Sequence, residues 1–170
     1  MHKEDLISQS EDFDVLLIRN TEGISFPNKV FYWLIRLFTG SRYNHAQLIV
    51  ELDKTKYIAE STLNGFVISK TLDKWLEQQK TMQREYVLLS IKPKVGQSYR
   101  FNRLLGNRYT LGIQSYIFGT KRLTHTNCFQ SIGYILGIND WHLLTGTHYE
   151  NIPPPPPPPH AHGTDKSARL

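Results

Sequence analysis

The residue best suited to covalent chemistry is Cys128, the single cysteine of the 170-residue chain. It stands in the stretch Thr124-His-Thr-Asn-Cys-Phe-Gln-Ser-Ile-Gly-Tyr-Ile-Leu-Gly-Ile138. After it, Phe129, Ile132, Ile135 and Leu136 recur at i, i+3, i+6 and i+7, one face of a helix. Thr126 and Asn127 are both N-cap types, and Gly137 is a stop signal. Cys128 is therefore expected in the first turn of a short, half-buried helix. Backbone N–H groups there lack intrahelical partners, and the macrodipole favours negative charge, so the thiolate is favoured. A thiolate can attack a carbonyl carbon if a base and an orienting group stand beside it. The competing reading is an inert, buried, apolar cysteine.

Two residues far upstream can supply those partners. His45 opens a segment that alternates, with Ala46, Leu48, Val50 and Leu52 on one face and His45, Gln47, Ile49 and Glu51 on the other. That segment is a half-buried strand. A turn over residues 53–56 makes Tyr57–Ser61 its hairpin partner, and Glu60 lies on it. With the turn centred on Lys54, position i pairs with about 108 − i, which sets His45 against residue 63. Glu60 then falls about three residues along and meets His45 only through a slipped register or a bulge. Ser61, or Glu51 on the histidine strand itself, could take its place. In this constellation the imidazole moves the proton and the acid fixes the ring. The backbone N–H of Cys128 is the natural oxyanion donor. His125 is a second possible base or substrate contact, or a plain loop histidine. A zinc site from Cys128, His45 and His125 has no ligand pair at metal spacing to support it.

Other elements must hold these residues. Asp14–Arg19 reads as a strand. Ser25 and Pro27 open a helix whose apolar face is Val30, Phe31, Leu34, Ile35 and Phe38, ended by Gly40. Trp33 and Leu37 widen that face, so the helix is either largely buried or packs against a ligand, and core packing is the expectation for both residues. Asn64-Gly65 is a turn, and Phe66–Ser69 is a third strand completing a meander. Thr71–Gln79 is a helix with the stripe Leu72, Trp75 and Leu76. Tyr86–Ile91 is a continuous apolar strand, expected to be central. Gln97–Leu105 is a further helix candidate, and Tyr109–Phe118 is ambiguous. Asn139–Asn151 is expected to be irregular, with Trp141 and Leu143 tucked against the core.

The order of these segments resembles a known family. Asp14-Val-Leu-Leu is followed by Thr39-Gly-Ser-Arg-Tyr-Asn-His45-Ala, Tyr57-Ile-Ala-Glu60-Ser, Gly65-Phe-Val, Leu72-Asp-Lys-Trp and Asn127-Cys128. This is similar to the circularly permuted, YiiX/YebB-like branch of the NlpC/P60 papain-like thiol hydrolases, in which the histidine strand precedes the cysteine helix. The resemblance spans roughly residues 13 to 145. It implies an α+β papain-like fold, a small antiparallel sheet packed against the cysteine helix. It implies Cys128 as nucleophile, His45 as base, Glu60 as third polar residue and Tyr43 as an aromatic neighbour; Asn127 and His125 would support substrate or oxyanion. No cofactor and no metal are expected. The reaction implied is amide cleavage, with peptidoglycan stem peptides or a related peptide as substrate and lipid acyl groups as the alternative. Phe129-Gln130 departs from the small or acidic residues that often follow the cysteine, which leaves the substrate open. A module without catalysis, perhaps phage-encoded, is the reading from another class.

Composition sets the outer bounds. A length of 170 residues suits one domain with a real core. The net charge is +5, and the sequence pI is about 9.3. The excess could face an anionic surface such as nucleic acid, lipid headgroups or cell-wall polymer; a merely solvated basic face is the expected reading, and no specific nucleic-acid binding is expected. One cysteine excludes an intrachain disulfide. Residues 1–12 read as a flexible N-terminus without a signal peptide, and no stretch is long and apolar enough to span a membrane. Location is then cytoplasmic, or reached by phage or effector delivery. The domain is expected to cover residues 13–152. The seven prolines from 153 to 159 make a polyproline II rod, either a partner's docking ligand or a stiff spacer, and the tail beyond is disordered by composition.

Overall fold

In a computed structural model, described here for residues 7–19, 26–62, 65–82, 85–92, 94–107, 123 and 126–152, the chain is an α+β fold built on one sheet. In chain order the elements are β1 (Val15–Arg19), α1 (Phe26–Thr39), β2 (His45–Leu52), β3 (Thr55–Thr62), β4 (Gly65–Thr71), α2 (Leu72–Met82), β5 (Glu85–Leu89), α3 (Gln97–Leu104), α4 (Cys128–Leu136) and α5 (Gly146–Glu150), with a 3-10 turn at Trp141–Leu143 before α5. The sheet order is β4-β3-β2-β1-β5, antiparallel throughout. β1 and β2 thus lie inside the sheet. The apolar 86–91 segment is not central as expected: among the described residues β5 is an edge strand that pairs with β1 alone. A continuous apolar run marks burial on both faces but does not distinguish an edge from an interior place.

The alternation of β2 sorts its side chains onto two cores. Ala46, Leu48 and Val50 join Val15, Leu17, Ala59 and the α4 residues Cys128, Phe129, Ile132, Ile135 and Leu136 in one cluster. Ile49 joins Leu16, Ile18, Ile58 and the α2 stripe Leu72, Trp75 and Leu76 in the other. The sheet is therefore covered on both faces by helices.

α4 is more deeply set than its apolar face implies. Only Tyr134 of its nine residues escapes full burial. Its polar residues are accommodated by bonds rather than by solvent. Ser131 shares a hydrogen bond with Thr126 Oγ1 at 2.8 Å and accepts one from Ser61 Oγ at 3.2 Å. At Gly133 a Cβ would stand 2.1 Å from Leu144 Cδ1 and 3.2 Å from the Tyr149 hydroxyl, so glycine lets residues 144–149 close over the helix. Gly137, at φ 71°, ends the helix in the left-handed conformation, with its N–H on the Gly133 and Tyr134 carbonyls.

Three local expectations change. Segment 139–151 is largely helical, and Leu144 at 7 % exposure is the buried residue, whereas Leu143 is 50 % exposed. Trp141 does pack on the core, edge-on to Tyr134. On α1, Val30, Trp33 and Leu37 are 41, 56 and 60 % exposed rather than packed in the core. A helix apolar nearly all round cannot turn every side to one sheet, and the arc around Trp33 is left outside. Of the N-terminal stretch, residues 7–12 are described: Lys56 Nζ donates to the carbonyls of Ile7 at 2.6 Å and Ser10 at 2.5 Å. Residues 109–118 and the proline run lie outside the described residues.

A cysteine–histidine–glutamate candidate site

The hairpin brings histidine and glutamate together by simple parity. Asp53 and Lys54 both have positive φ, 49° and 63°, and Leu52 pairs with Thr55. The turn is thus a two-residue loop of the kind that follows strand twist. Its centre lies between residues 53 and 54, half a residue before the position assumed from sequence. That half residue shifts the pairing by one. Gln47 stands directly opposite Glu60, so Glu60 is two places, not three, from the position facing His45. An even offset puts His45, Gln47 and Glu60 on one face, that of Ile49 and Ile58. Cys128 belongs to the cluster on the other face, and it is His45, as the first residue of β2, that meets it at the strand end. A diagonal neighbour is within reach of long side chains, and neither slip nor bulge between β2 and β3 is needed.

The contacts follow from that placement. His45 Nε2 lies 3.3 Å from Glu60 Oε2. Gln47 Nε2 donates to the same oxygen at 2.5 Å. The Ser69 side chain also hydrogen-bonds to Glu60. His45 has a second hydrogen-bonding partner in the Cys128 side chain. With Nε2 facing the carboxylate, Nδ1 is the ring nitrogen available to the sulfur. Cys128 is 1 % exposed, while the His45 side chain keeps 21 %. The site opens from the imidazole side.

Charge decides the protonation of this chain of groups. Burial alone would lower the His45 pKa, and it is the largest single influence. Hydrogen bonds to Cys128 and Glu60, and the negative charges of both, more than offset it and raise the value to about 10. For Glu60, burial pushes upward, but the hydrogen bond and charge of His45, with bonds from Ser69 and Gln47, bring the carboxyl down to about 2. His45 is therefore favoured in its protonated form, held between the Glu60 carboxylate and the Cys128 sulfur.

The cap of α4 sets the thiol's position. Asn127 Oδ1 accepts from the Gln130 backbone N–H at 3.0 Å, and Gln130 Oε1 accepts from the Asn127 N–H at 3.2 Å, a reciprocal capping box. Gln130 Nε2 also donates to the His142 carbonyl at 2.7 Å. Phe129 is fully buried, and its carbonyl accepts from the Tyr149 hydroxyl at 2.8 Å. The two residues after the cysteine therefore serve cap and core. Asn127 is itself fully buried, and its Nδ2 has no hydrogen-bond partner among the described residues. The cap fixes the amide orientation, so this orphan is a donor.

The remaining candidates separate. Tyr43 belongs to the core, with the Arg42 guanidinium 5.2 Å from its ring centre. His125 lies outside the described residues. Glu51 is exposed and pairs in register with Lys56, away from His45. Ser61 bonds to Ser131, not to the imidazole. Two neighbours escaped the sequence reading. Gln47 shares the histidine's face, a signal the alternation already carried. Tyr149 is buried, and both its burial and the Cys128 charge raise its phenol above the ordinary value; nothing local in the sequence marks it.

No protein-family model matches the sequence, and no curated protein matches it. The structure is similar to the crystal structure of the metalloprotein YiiX from Escherichia coli O157:H7, with a TM-score of 0.51 and 20 % sequence identity. The match covers 75 % of this chain and 64 % of that one, so the chain spans less than two thirds of YiiX. At this identity the likeness is one of fold. Among the described residues no group of three or more His, Cys, Asp or Glu side chains is arranged to hold a metal ion. Cys128, His45 and Glu60 are bonded in series through the imidazole, a poor fit to one shared ion. No helix among the described residues is long and apolar enough to cross a membrane.

Proposed function

We propose that this chain is a cysteine hydrolase of the permuted NlpC/P60, papain-like kind, cleaving an amide bond in peptidoglycan stem peptides or a related peptide. The observation that carries the reading is the His45 ring, bonded on one side to a cysteine at a helix start and on the other to Glu60. The Cys128 thiolate attacks the carbonyl carbon, and the carbonyl π pair moves onto oxygen. The Cys128 backbone N–H is suited to receive that oxyanion, and the unpartnered Nδ2 of the preceding Asn127 is the candidate second donor. On collapse the C–N bond breaks, and His45 gives its proton to the departing amine. Water then adds to the thioester while neutral His45 takes its proton. Breaking the C–S bond releases the acid and restores the imidazolium–thiolate pair. Glu60 orients and charges the ring throughout; Gln47 and Ser69 hold Glu60.

The test is turnover of purified peptidoglycan fragments, followed by the appearance of a new amine, in the full chain and in Cys128→Ala. Loss of all turnover in a variant that melts normally is expected. Undiminished turnover overturns the mechanism. Release of fatty acid from phospholipid with no amide cleavage moves the same site to lipid acyl groups.

A further inference from the structure

The outer arc of α1 is a surface the proposed chemistry does not use. At 100° per residue, Arg36, Lys29, Trp33, Leu37 and Val30 follow one another around the helix within about 120°. Trp33 and Leu37 are more than half exposed, and Lys29 and Val30 are exposed as well. The fourteen residues of this helix include no acidic side chain. Beside the arc is a cavity of about 370 Å³ lined by Trp33, Arg36, Leu37, Gly40, Ser41 and Arg42. Arg42 lies 3.6 Å from Glu85, but that carboxylate is already held by Arg19 at 3.0 Å, and the Arg42 side chain remains 59 % exposed. Cations at one end of the arc and apolar side chains over the rest suit a surface that is apolar below and anionic at its rim.

We propose that this arc docks the protein on an anionic phospholipid membrane, with Trp33, Leu37 and Val30 entering the headgroup–acyl boundary and Lys29, Arg36 and Arg42 meeting lipid phosphates. Nucleic acid offers the charge but no apolar layer for Val30 and Leu37. Lys29, Arg36 and Arg42 set three cations beside this apolar surface, with no acidic side chain on the helix to offset them, the charge pattern of an anionic lipid face rather than of a mixed-charge protein surface. The end of α1 is tied to the body through the Thr147 hydroxyl, which donates to the Thr39 carbonyl. Only five positions separate Gly40 from His45, so docking would hold the site close to the lipid surface. The inference does not depend on Cys128 being a nucleophile.

The experiment is cosedimentation of the full chain with phosphatidylcholine vesicles, with or without phosphatidylglycerol. The full chain and Cys128→Ala should bind the anionic vesicles alike and the neutral ones weakly, and added salt should weaken the binding. Trp33→Ser/Leu37→Ser and Lys29→Glu/Arg36→Glu should each weaken binding by at least about tenfold. These positions are on the surface, so unchanged melting is expected and separates lost docking from lost fold. Equal binding by all variants, or no preference for anionic lipid, overturns the proposal. So does a self-associating chain that Trp33→Ser/Leu37→Ser renders monomeric without any lipid binding, because a second copy then covers the arc. Vesicle binding that appears only after removal of residues 153–170 also contradicts it, since the tail would then be the occupant.

Discussion

In the proposed hydrolysis, a histidine that holds its proton to about pH 10 would enter the cycle as an acid, not as a base. The sequence assigns His45 to take the thiol proton during attack. In the proposed reaction that transfer would be complete before substrate arrives, because the raised His45 value favours imidazolium. In an NMR titration the His45 ring should therefore show no midpoint near its ordinary 6.5. Glu60→Gln removes the carboxylate and should bring the midpoint down into the measurable range, with slowed rather than abolished turnover. A midpoint that stays near 6.5 in the native protein would refute the ion pair. Asn127 permits a second residue-scale test. Asn127→Ser keeps a capping oxygen but removes the buried amide donor, so it should leave melting nearly unchanged while lowering kcat by about tenfold or more. Asn127→Ala removes both and should also cost about 1 kcal/mol of stability. The three members of the site were legible as residue types in good local settings. Gln47 was not, because its role exists only once the register is known.

Register belongs to the elements, and here it turned on one dipeptide. Asp53-Lys54 occupies two left-handed positions without containing the glycine or asparagine that usually announces such a turn. The sequence therefore suggested a longer loop, and the pairing came out one residue wrong, enough to separate His45 from Glu60. Lys54→Gly relieves a strained position and should stabilise the protein by up to about 1 kcal/mol, measured by urea unfolding. An unchanged or lowered midpoint would argue against the two-residue turn. The helix signals were more legible: Asn127 as cap, Gly137 as stop and the 129–136 spacing all describe α4. Its burial on nearly every side was not, since it depends on Leu144 and Tyr149 closing over Gly133. The exposure of Trp33 and the edge place of β5 were hidden for the same reason. Apolar character fixes a wish for burial, and only the assembled sheet decides which residues obtain it.

For the molecule as a whole, the site couples stability to pH. Glu60 has an ordinary value of 4.5 and a native value of about 2. Between them the unfolded chain binds more protons, so this contribution is present above 4.5 and is lost as pH falls through about 2. Glu60→Gln should flatten that part of the acid limb. His45 runs the other way: its contribution is full below 6.5 and is lost as pH rises through about 10. The proton it keeps is the one Cys128 gives up, however. From about 6.5 to 8.5, the ordinary imidazole and thiol values, folded and unfolded chains bind the same number. Unfolding free energy should be level across that interval and should fall only above it. A decline that begins at neutral pH would mean that Cys128 keeps its own proton. The described core ends at Ile152, which packs against it and donates its N–H to the Tyr149 carbonyl at 3.1 Å. A chain ending there should melt at an unchanged temperature.

The proposed chemistry requires Cys128 to be a thiolate made by His45. The most direct measurement is the rate of Cys128 alkylation by iodoacetamide, small enough for a buried sulfur, as a function of pH in the native protein and in His45→Ala. The native protein should react at a nearly constant rate from about pH 6 upward, while the variant should show a midpoint near the free-thiol value of about 8.5. A native profile that itself rises only around that value, and that His45→Ala leaves unchanged, would contradict the account and return Cys128 to the status of a buried core residue.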